Sequence, residues 1–432
     1  MNRTICLLLC IPSWASMAVA GDWPHWRGPT RDGILAESSD WKSGDWLAAK
    51  PEWMRNVGIG TSAPLIFKDR VYVIGWAGKK DTLRCLDLKT GEDLWSQAYP
   101  CPSHGRVHTG DPQMYGGPHA APEIDTGTGM LYSLSLDGDL NCWNLNEKGK
   151  TVWSLNLYKQ YDVKQRPKLT PIYHRDYGYT TSPLIHGDWL IVEVGSTTKG
   201  TYIAFDKKTG KELWASELKD EAGHAGGLTP MTVDNVPCLA GFTQRNLAVI
   251  RLDGDKPGAT VAKQEWITEG DCNIATPVAV GNSVLVTSGY NQSAIARYDV
   301  DLKTGMNEVW KKKVYSKVCS PVIHDGSVYF SWMKVYCLDW KTGEKKWDGG
   351  AYGDAGSCVV TSDGKLIVYG GHGKVGLIEG AAKSPKAFQE LSVRDRIFEV
   401  PAWPHIAIGT GCVLCRDKNG NLHRYSIAGS SK

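Results

Sequence analysis

The sequence predicts an all-β chain: an eight-bladed β-propeller made of tryptophan-docking repeats and closed by an N-terminal strand. Three observations carry that expectation. First, the stretch Cys85–Trp95 (CLDLKTGEDLW) returns as Ala204–Trp214 (AFDKKTGKELW), Tyr298–Trp310, Cys337–Trp347 and, degraded, Cys142–Trp153. Asp and Thr can bond local backbone N–H groups, and Gly takes the positive φ of a tight hairpin. A Trp follows four residues after Gly91, Gly149, Gly210 and Gly343, and five after Gly305. A large apolar ring therefore reaches nearly the same point of each outgoing strand, which is the mark of a repeat architecture. Second, strand openers of the form (Ser/Ala/Thr)-Pro recur at Ala63, Ala121, Ser182, Thr229, Thr276 and Ser320, each followed by apolar residues and an Asp-Gly, Gly-Asp or Gly-Asn type of turn. Third, the two ends complete each other. Pro51–Val57 reads as a closing strand without a repeat, and Trp403–Ala428 as a three-strand repeat without its Trp strand. A ring sealed in this way leaves no free sheet edge.

Taken in order, Met1–Ala20 reads as a signal peptide: one Arg, an apolar run over Ile5–Ile11, and Ala18-Val19-Ala20 ahead of Gly21. Pro12 and Ser13 interrupt a run already too short to span a membrane. Residues 21–50 form an irregular leader rich in Trp, Gly and Pro, expected to pack across a surface. The propeller is expected over residues 51–432. Its closing tryptophans are Trp53, Trp95, Trp153, Trp214, Trp266, Trp310 and Trp347, with Phe388 as the replacement in the seventh repeat. Trp-to-Trp steps run from 37 residues (310 to 347) to 61 (153 to 214), room for four short strands each.

Composition agrees. The 432 residues include 48 Gly, 18 Trp and 18 Tyr, with few long helical periods. A net charge of +3 gives no electrostatic case for nucleic acid. Of twelve cysteines, ten lie beyond the signal peptide. Cys85, Cys142 and Cys337 share the repeat position held by Ala204, which reads as a small core residue rather than a bridge. Cys412-x-x-Cys415 lies in a strand-like run, where i and i+3 face opposite sides, and has no second pair to complete a zinc site.

The run Ala204-Phe205-Asp206-Lys207-Lys208-Thr209-Gly210-Lys211-Glu212-Leu213-Trp214 resembles, position by position, the A-x-D-x-x-T-G-x-x-x-W repeat of the pyrroloquinoline-quinone (PQQ) propeller superfamily. The resemblance covers nearly all of residues 51–428. It implies eight blades with each repeat Trp wedged between neighbours. The superfamily holds quinoprotein alcohol dehydrogenases and the non-catalytic, protein-binding BamB type. The Asp22–Gly33 leader (DWPHWRGPTRDG) resembles that of exported PQQ-like proteins of planctomycete-type bacteria. A quinoprotein site would imply PQQ with Ca²⁺, a base Asp, an Arg and a Trp floor. This sequence carries no adjacent cysteines and no Asp/Glu/Asn set matching the metal ligands, and it is shorter than those enzymes. No metal site is expected.

The candidate binding residues lie in connections. Ala98–His119 carries His104, Arg106, His108, Asp111, Tyr115 and His119. Tyr158–Tyr179 carries Arg166, Tyr173, His174, Arg175, Asp176, Tyr177 and Tyr179. Shorter connections add His224, Asp271, Asn273, Lys317, Trp403 and His405. Long loops in a compact fold carry function, and both long loops lead into inner strands, so their ends are expected to rim one mouth of the channel. No Gly-x-Ser-x-Gly, P-loop or dinucleotide fingerprint is present. The leading expectation is an exported (periplasmic or secreted), monomeric, non-catalytic propeller. It would bind an envelope or extracellular protein, or a small ligand, at the channel mouth. The alternatives are a PQQ-dependent oxidoreductase and a carbohydrate-binding propeller.

Overall fold

A computed structural model describes residues 21–105, 115–163, 177–254 and 256–428. The expected signal peptide lies outside the described residues. Eight antiparallel sheets form eight blades. Blade one is Leu65–Phe67, Arg70–Ala77, Lys80–Asp87 and Asp93–Pro100, counted from the inside outward. Blades two to five repeat the pattern, opening at Glu123–Asp125, Leu184–His186, Thr229–Val233 and Val278–Val280. In blade six the two middle strands run together as Ser327–Asp339. Its register places Val322 opposite Tyr329 and Cys337 opposite Trp347. Phe330 stacks on Tyr336 at 5.0 Å, and the chain reverses at Met333, whose φ is +60°. Blade seven opens at Ala355–Val360. Blade eight joins Ala407–Gly409, Cys412–Arg416 and Asn421–Ser426 to the strand Trp53–Asn56. Trp53 stands opposite Arg424 and Asn56 opposite Asn421, so the N-terminal strand closes the ring.

The repeated turn forms for the reasons its residues suggest. Asp206 Oδ1 accepts the N–H groups of Lys208 (3.1 Å) and Thr209 (2.8 Å) and the Thr209 hydroxyl (2.7 Å). That hydroxyl, ahead of the backbone donors, holds the Asp206 carboxyl below the usual carboxylate range. Asp87, Asp301 and Asp339 repeat the backbone bonds. The turn glycine serves twice. Gly210 sits at φ +71°, and a Cβ there would meet the Trp153 ring of the preceding blade at 2.8 Å. Trp53 covers Gly91, Trp95 covers Gly149 and Trp310 covers Gly343 in the same way. The indole N–H then reaches the residue after the turn's Asp: Trp53 to Leu88 O at 3.0 Å, Trp153 to Lys207 O at 3.1 Å, Trp310 to Trp340 O at 3.0 Å. Trp214 lies against Gly258, and the Trp347 N–H bonds Ser384 O of blade seven.

Two sequence expectations change. In blade four the docking position, beside the bulge, belongs to Ala262, opposite Val249. Trp266 lies four residues further on, past the end of its strand. It is buried there and bonds Ser288 Oγ at 2.7 Å. It reaches the next blade at a different level, because blade four lacks the Asp-x-x-Thr-Gly turn that would set the spacing. In blade seven the position belongs to Ser392, opposite Leu377. Phe388 packs backwards, onto Gly349 and edge-on to Trp347 of blade six, rather than forward onto blade eight.

The Ser/Thr of the openers stitch inner strands together. Ser182 Oγ accepts Ala121 N–H (2.9 Å) and donates to Gly226 O (2.6 Å); Ser320 Oγ accepts Thr276 N–H (2.9 Å).

The first half of the leader runs over the far ends of the inner strands, and its second half crosses to the outer strands of blades seven and eight, where Arg394 bonds Leu47 O and Ala48 N–H bonds Ser426 O. Trp23 exchanges backbone bonds with Ile66 of blade one, and Pro24 O accepts Ile124 N–H of blade two. Leu35 N–H bonds Val360 O of blade seven, and Ser39 bonds Asp363 through both its N–H and its hydroxyl. Glu123 of blade two accepts Arg31, with His25 Nδ1 at 3.2 Å. Burial raises the Glu123 carboxyl, but these two bases outweigh it and hold the group ionised. Arg27, fully buried, bonds Asp32 O and Pro321 O of blade six. The leader's Trp23 and Trp46 are 0% and 2% exposed. Trp23 finds its apolar contact inside the channel end, whereas Trp46 is buried between the outer strands of blades seven and eight, where its backbone N–H bonds Ser392 Oγ.

Candidate functional site

At the other end of the inner strands lies a cavity of about 280 Å³. Thr61, His119, Thr180, Ile274 and Val318 line it. Each stands three residues ahead of an opener proline, so the repeat itself sets one ring of positions around the mouth. Side chains from the connections build the wall. Tyr115 stacks on Trp403 (5.1 Å, 21°) and leans on Tyr177 (5.8 Å); Tyr177 meets His224 edge-on (4.7 Å). Across the cup, the Lys317 ammonium lies 5.1 Å from the Tyr290 ring and 5.0 Å from Trp332. Asp354 completes the circle between blades six and seven.

The floor comes from the leader. Trp26 reaches the cup between Gly226 and Gly227, where any Cβ would strike its ring at 2.5 Å, and its N–H bonds Thr276 Oγ1 at 3.0 Å. Beneath it His405 is 2% exposed and packs edge-on to Trp26 (5.2 Å). Burial drives the His405 imidazole down to about 3, with the Arg27 charge adding to the effect, so it is neutral at physiological pH.

The polar groups of the cup divide into two sets. His119 is committed to the frame: Nδ1 pairs with Thr61 Oγ1 (2.7 Å) and Nε2 with Tyr115 O (2.8 Å). Burial, then the Cys272 thiol, push the Tyr290 phenol well above its usual range, so it keeps its proton. By contrast, Thr180 Oγ1 and Trp403 Nε1 are buried without a hydrogen-bond partner among the described residues. Lys317 has no carboxylate partner there, and no side-chain bond engages Asp354. Thr180 Oγ1 and Trp403 Nε1, as buried polar atoms, point to a missing companion, while Lys317 and Asp354 are part-exposed charges on the same wall.

Of the sequence candidates, His119, His224 and Trp403 come together in the cup, with Tyr115, Tyr177 and Lys317. His405 lies under its floor. His104 does not join them; it stacks on Trp76 at 4.2 Å. Asp271 accepts Gln244 (2.9 Å), and Asn273 Nδ2 faces the carbonyls of Thr243, Gln244 and Trp266, so both hold loops in place. Arg106, His108, Asp111, Arg166, Tyr173, His174, Arg175 and Asp176 lie outside the described residues. Sequence reasoning missed Trp26, Tyr290, Trp332 and Asp354.

The donor set was tested against PQQ and its cation. Among the described residues, no group of three His, Cys, Asp or Glu side chains converges to hold an ion. Among the described residues Lys317 is the one Lys or Arg lining the cup, and Asp354 lies on the same wall. These residues do not fit a planar tri-carboxylate with its metal.

No curated protein matches the sequence. Among solved structures, BamB from Moraxella catarrhalis superposes with a TM-score of 0.58 at 15% identity, over 88% of this chain and 100% of that one. The quinohemoprotein alcohol dehydrogenase from Comamonas testosteroni gives 0.62 at 12%, over 95% and 81%. At such identities these likenesses speak to the fold alone. No helix among the described residues is long and apolar enough to cross a membrane. The model of the family described as outer membrane protein assembly factor BamB matches residues 79–349, more than half the sequence, and the chain belongs to that family.

Proposed function

We infer that this chain is an exported, non-catalytic binding propeller that takes hold of its ligand, or of one group of a partner molecule, in the cup at the channel mouth. The observation that carries this reading is the contrast within the cup. Aromatic faces from five connections and the leader surround a few polar groups: the Lys317 and Asp354 charges, and Thr180 Oγ1 and Trp403 Nε1, which have no hydrogen-bond partner among the described residues. Concave aromatic sites with a few convergent polar groups are the usual form of a ligand pocket. Among the described residues the cup offers one cationic side chain and no cluster of metal ligands, which favours binding over oxidation. Export follows from the signal-like N-terminus, and a protein-assembly setting from the description of the family.

The test compares material retained from an envelope extract by the wild-type chain and by two full-length variants, Lys317→Glu and Trp403→Ala. The reading expects retention by the wild type alone, with all three proteins folded by circular dichroism. Equal retention by all three would overturn it.

A further inference from the structure

We propose that the cup takes a neutral sugar ring, a terminal or near-terminal hexose of a glycan; this rests on the mouth-binding reading above. Three features of the cup select that chemistry. The first is the arrangement of faces. Trp26 forms the floor, and Trp403, stacked on Tyr115, and Trp332 stand on the wall. A pyranose presents a face of C–H bonds that needs flat aromatic surface to cover it, and a rim of hydroxyls that needs hydrogen-bond partners. The second is polarity of both signs. A sugar hydroxyl is both donor and acceptor. Lys317 supplies N–H donors, Asp354 an acceptor and Thr180 either. A polyanion would use Lys317 and be repelled by Asp354; a cation would meet the reverse. A neutral polyol satisfies both. The third is size. About 280 Å³ lies just below the usual span of ligand sites, roughly 300–1,000 Å³. That suits one or two rings rather than an extended chain segment.

Lys317 separates charge from hydrogen bonding. Its ammonium rests between the Tyr290 and Trp332 rings rather than on a carboxylate. For a neutral sugar it acts as a donor that an amide can imitate. For an anion it acts as a charge that an amide cannot replace.

The experiment titrates the mature full-length chain with methyl glycosides of glucose, galactose and N-acetylglucosamine, and with cellobiose, by calorimetry and indole fluorescence. Benzene-1,3,5-tricarboxylate serves as the planar-acid control. Saturable binding of at least one sugar is expected, with indole emission changed. Trp332→Ala and Trp403→Ala should each weaken it at least ~10-fold, Asp354→Asn at least ~3-fold, and Lys317→Gln no more than ~3-fold. If Lys317→Gln abolishes binding while Asp354→Asn strengthens it, the ligand is an anion and the proposal fails. If the tricarboxylate binds and no sugar does, the sugar class is overturned while the mouth reading stands. The same holds if neither binds but extract retention still depends on Lys317. If neither binds and retention ignores the mouth variants, both readings fall.

Discussion

The two ends of the channel are built on the same eight inner strands and end in opposite ways. At the far end the leader fills the space and brings Glu123 to Arg31 and His25, Ser39 to Asp363 and Asp22 to Lys68 N–H, while Trp23 Nε1 and two nitrogens of Arg27 stay without a hydrogen bond among the described residues. At the mouth the rings stand around a space lined by Lys317, Asp354 and Thr180, and Thr180 Oγ1 and Trp403 Nε1 have no hydrogen-bond partner among the described residues. One end is occupied by its own chain; the other encloses a cavity of about 280 Å³. In a fold whose blades all resemble one another, the difference between the ends localises function better than any single motif.

That contrast can be broken in order of expected effect. Glu123→Ala strands two buried bases at the far end and is expected to cost about 3–5 kcal/mol, read as a fall in melting temperature. Mouth binding by the surviving folded fraction should be unchanged, and a variant of wild-type stability would mean that the leader is not anchored there. Trp53→Ala removes the indole that seals blade eight to blade one and should cost about 3 kcal/mol. Its measure is denaturant unfolding, and a loss below about 1 kcal/mol would contradict its docking on Gly91. His405 joins the two ends. Its folded pKa is depressed to about 3 from an ordinary 6.5, so the unfolded chain binds the proton first as pH falls. Its contribution is intact above about pH 6.5 and is lost progressively toward pH 3, at up to about 1.4 kcal/mol per unit. Melting followed from pH 7 to 4 should fall less steeply in His405→Gln than in the wild type, and parallel curves would refute the assignment. At the mouth, Lys317→Gln and Asp354→Asn should change stability by no more than about 0.5 kcal/mol. A large loss in either would mark that residue as part of the frame.

Most of the fold was legible because its cause is local. The Asp-x-x-Thr-Gly turn fixes its own geometry, and the phased Trp follows from it. The ring closure was legible because each end lacked what the other had. Where the local cause is absent, the reading slipped: blade four has no such turn, so Trp266 is displaced, and in blade seven Ser392 holds the place assigned to Phe388. The site was half legible. Its loops could be named, and three residues ahead of each opener proline was a readable address. Trp332 and Tyr290 belong to hairpins inside blades, with no signal to separate them from core aromatics. Trp26 needed knowledge that the leader enters the channel, which rests on burial of Trp23 and on contacts no nearby residue announces.

The leader also sets an order of events. Its bonds span 250 residues from Trp26 to Thr276, 324 from Ser39 to Asp363 and 346 from Trp46 to Ser392. Contacts so distant in sequence form only after the intervening chain is organised. The segment that precedes every blade must therefore wait for the last of them before it can settle. Until then its tryptophans stay exposed, and the cup above them has no base. If the mouth binds as proposed, a molecule caught with seven blades made lacks the Trp26 floor, and recognition there reports that assembly is finished.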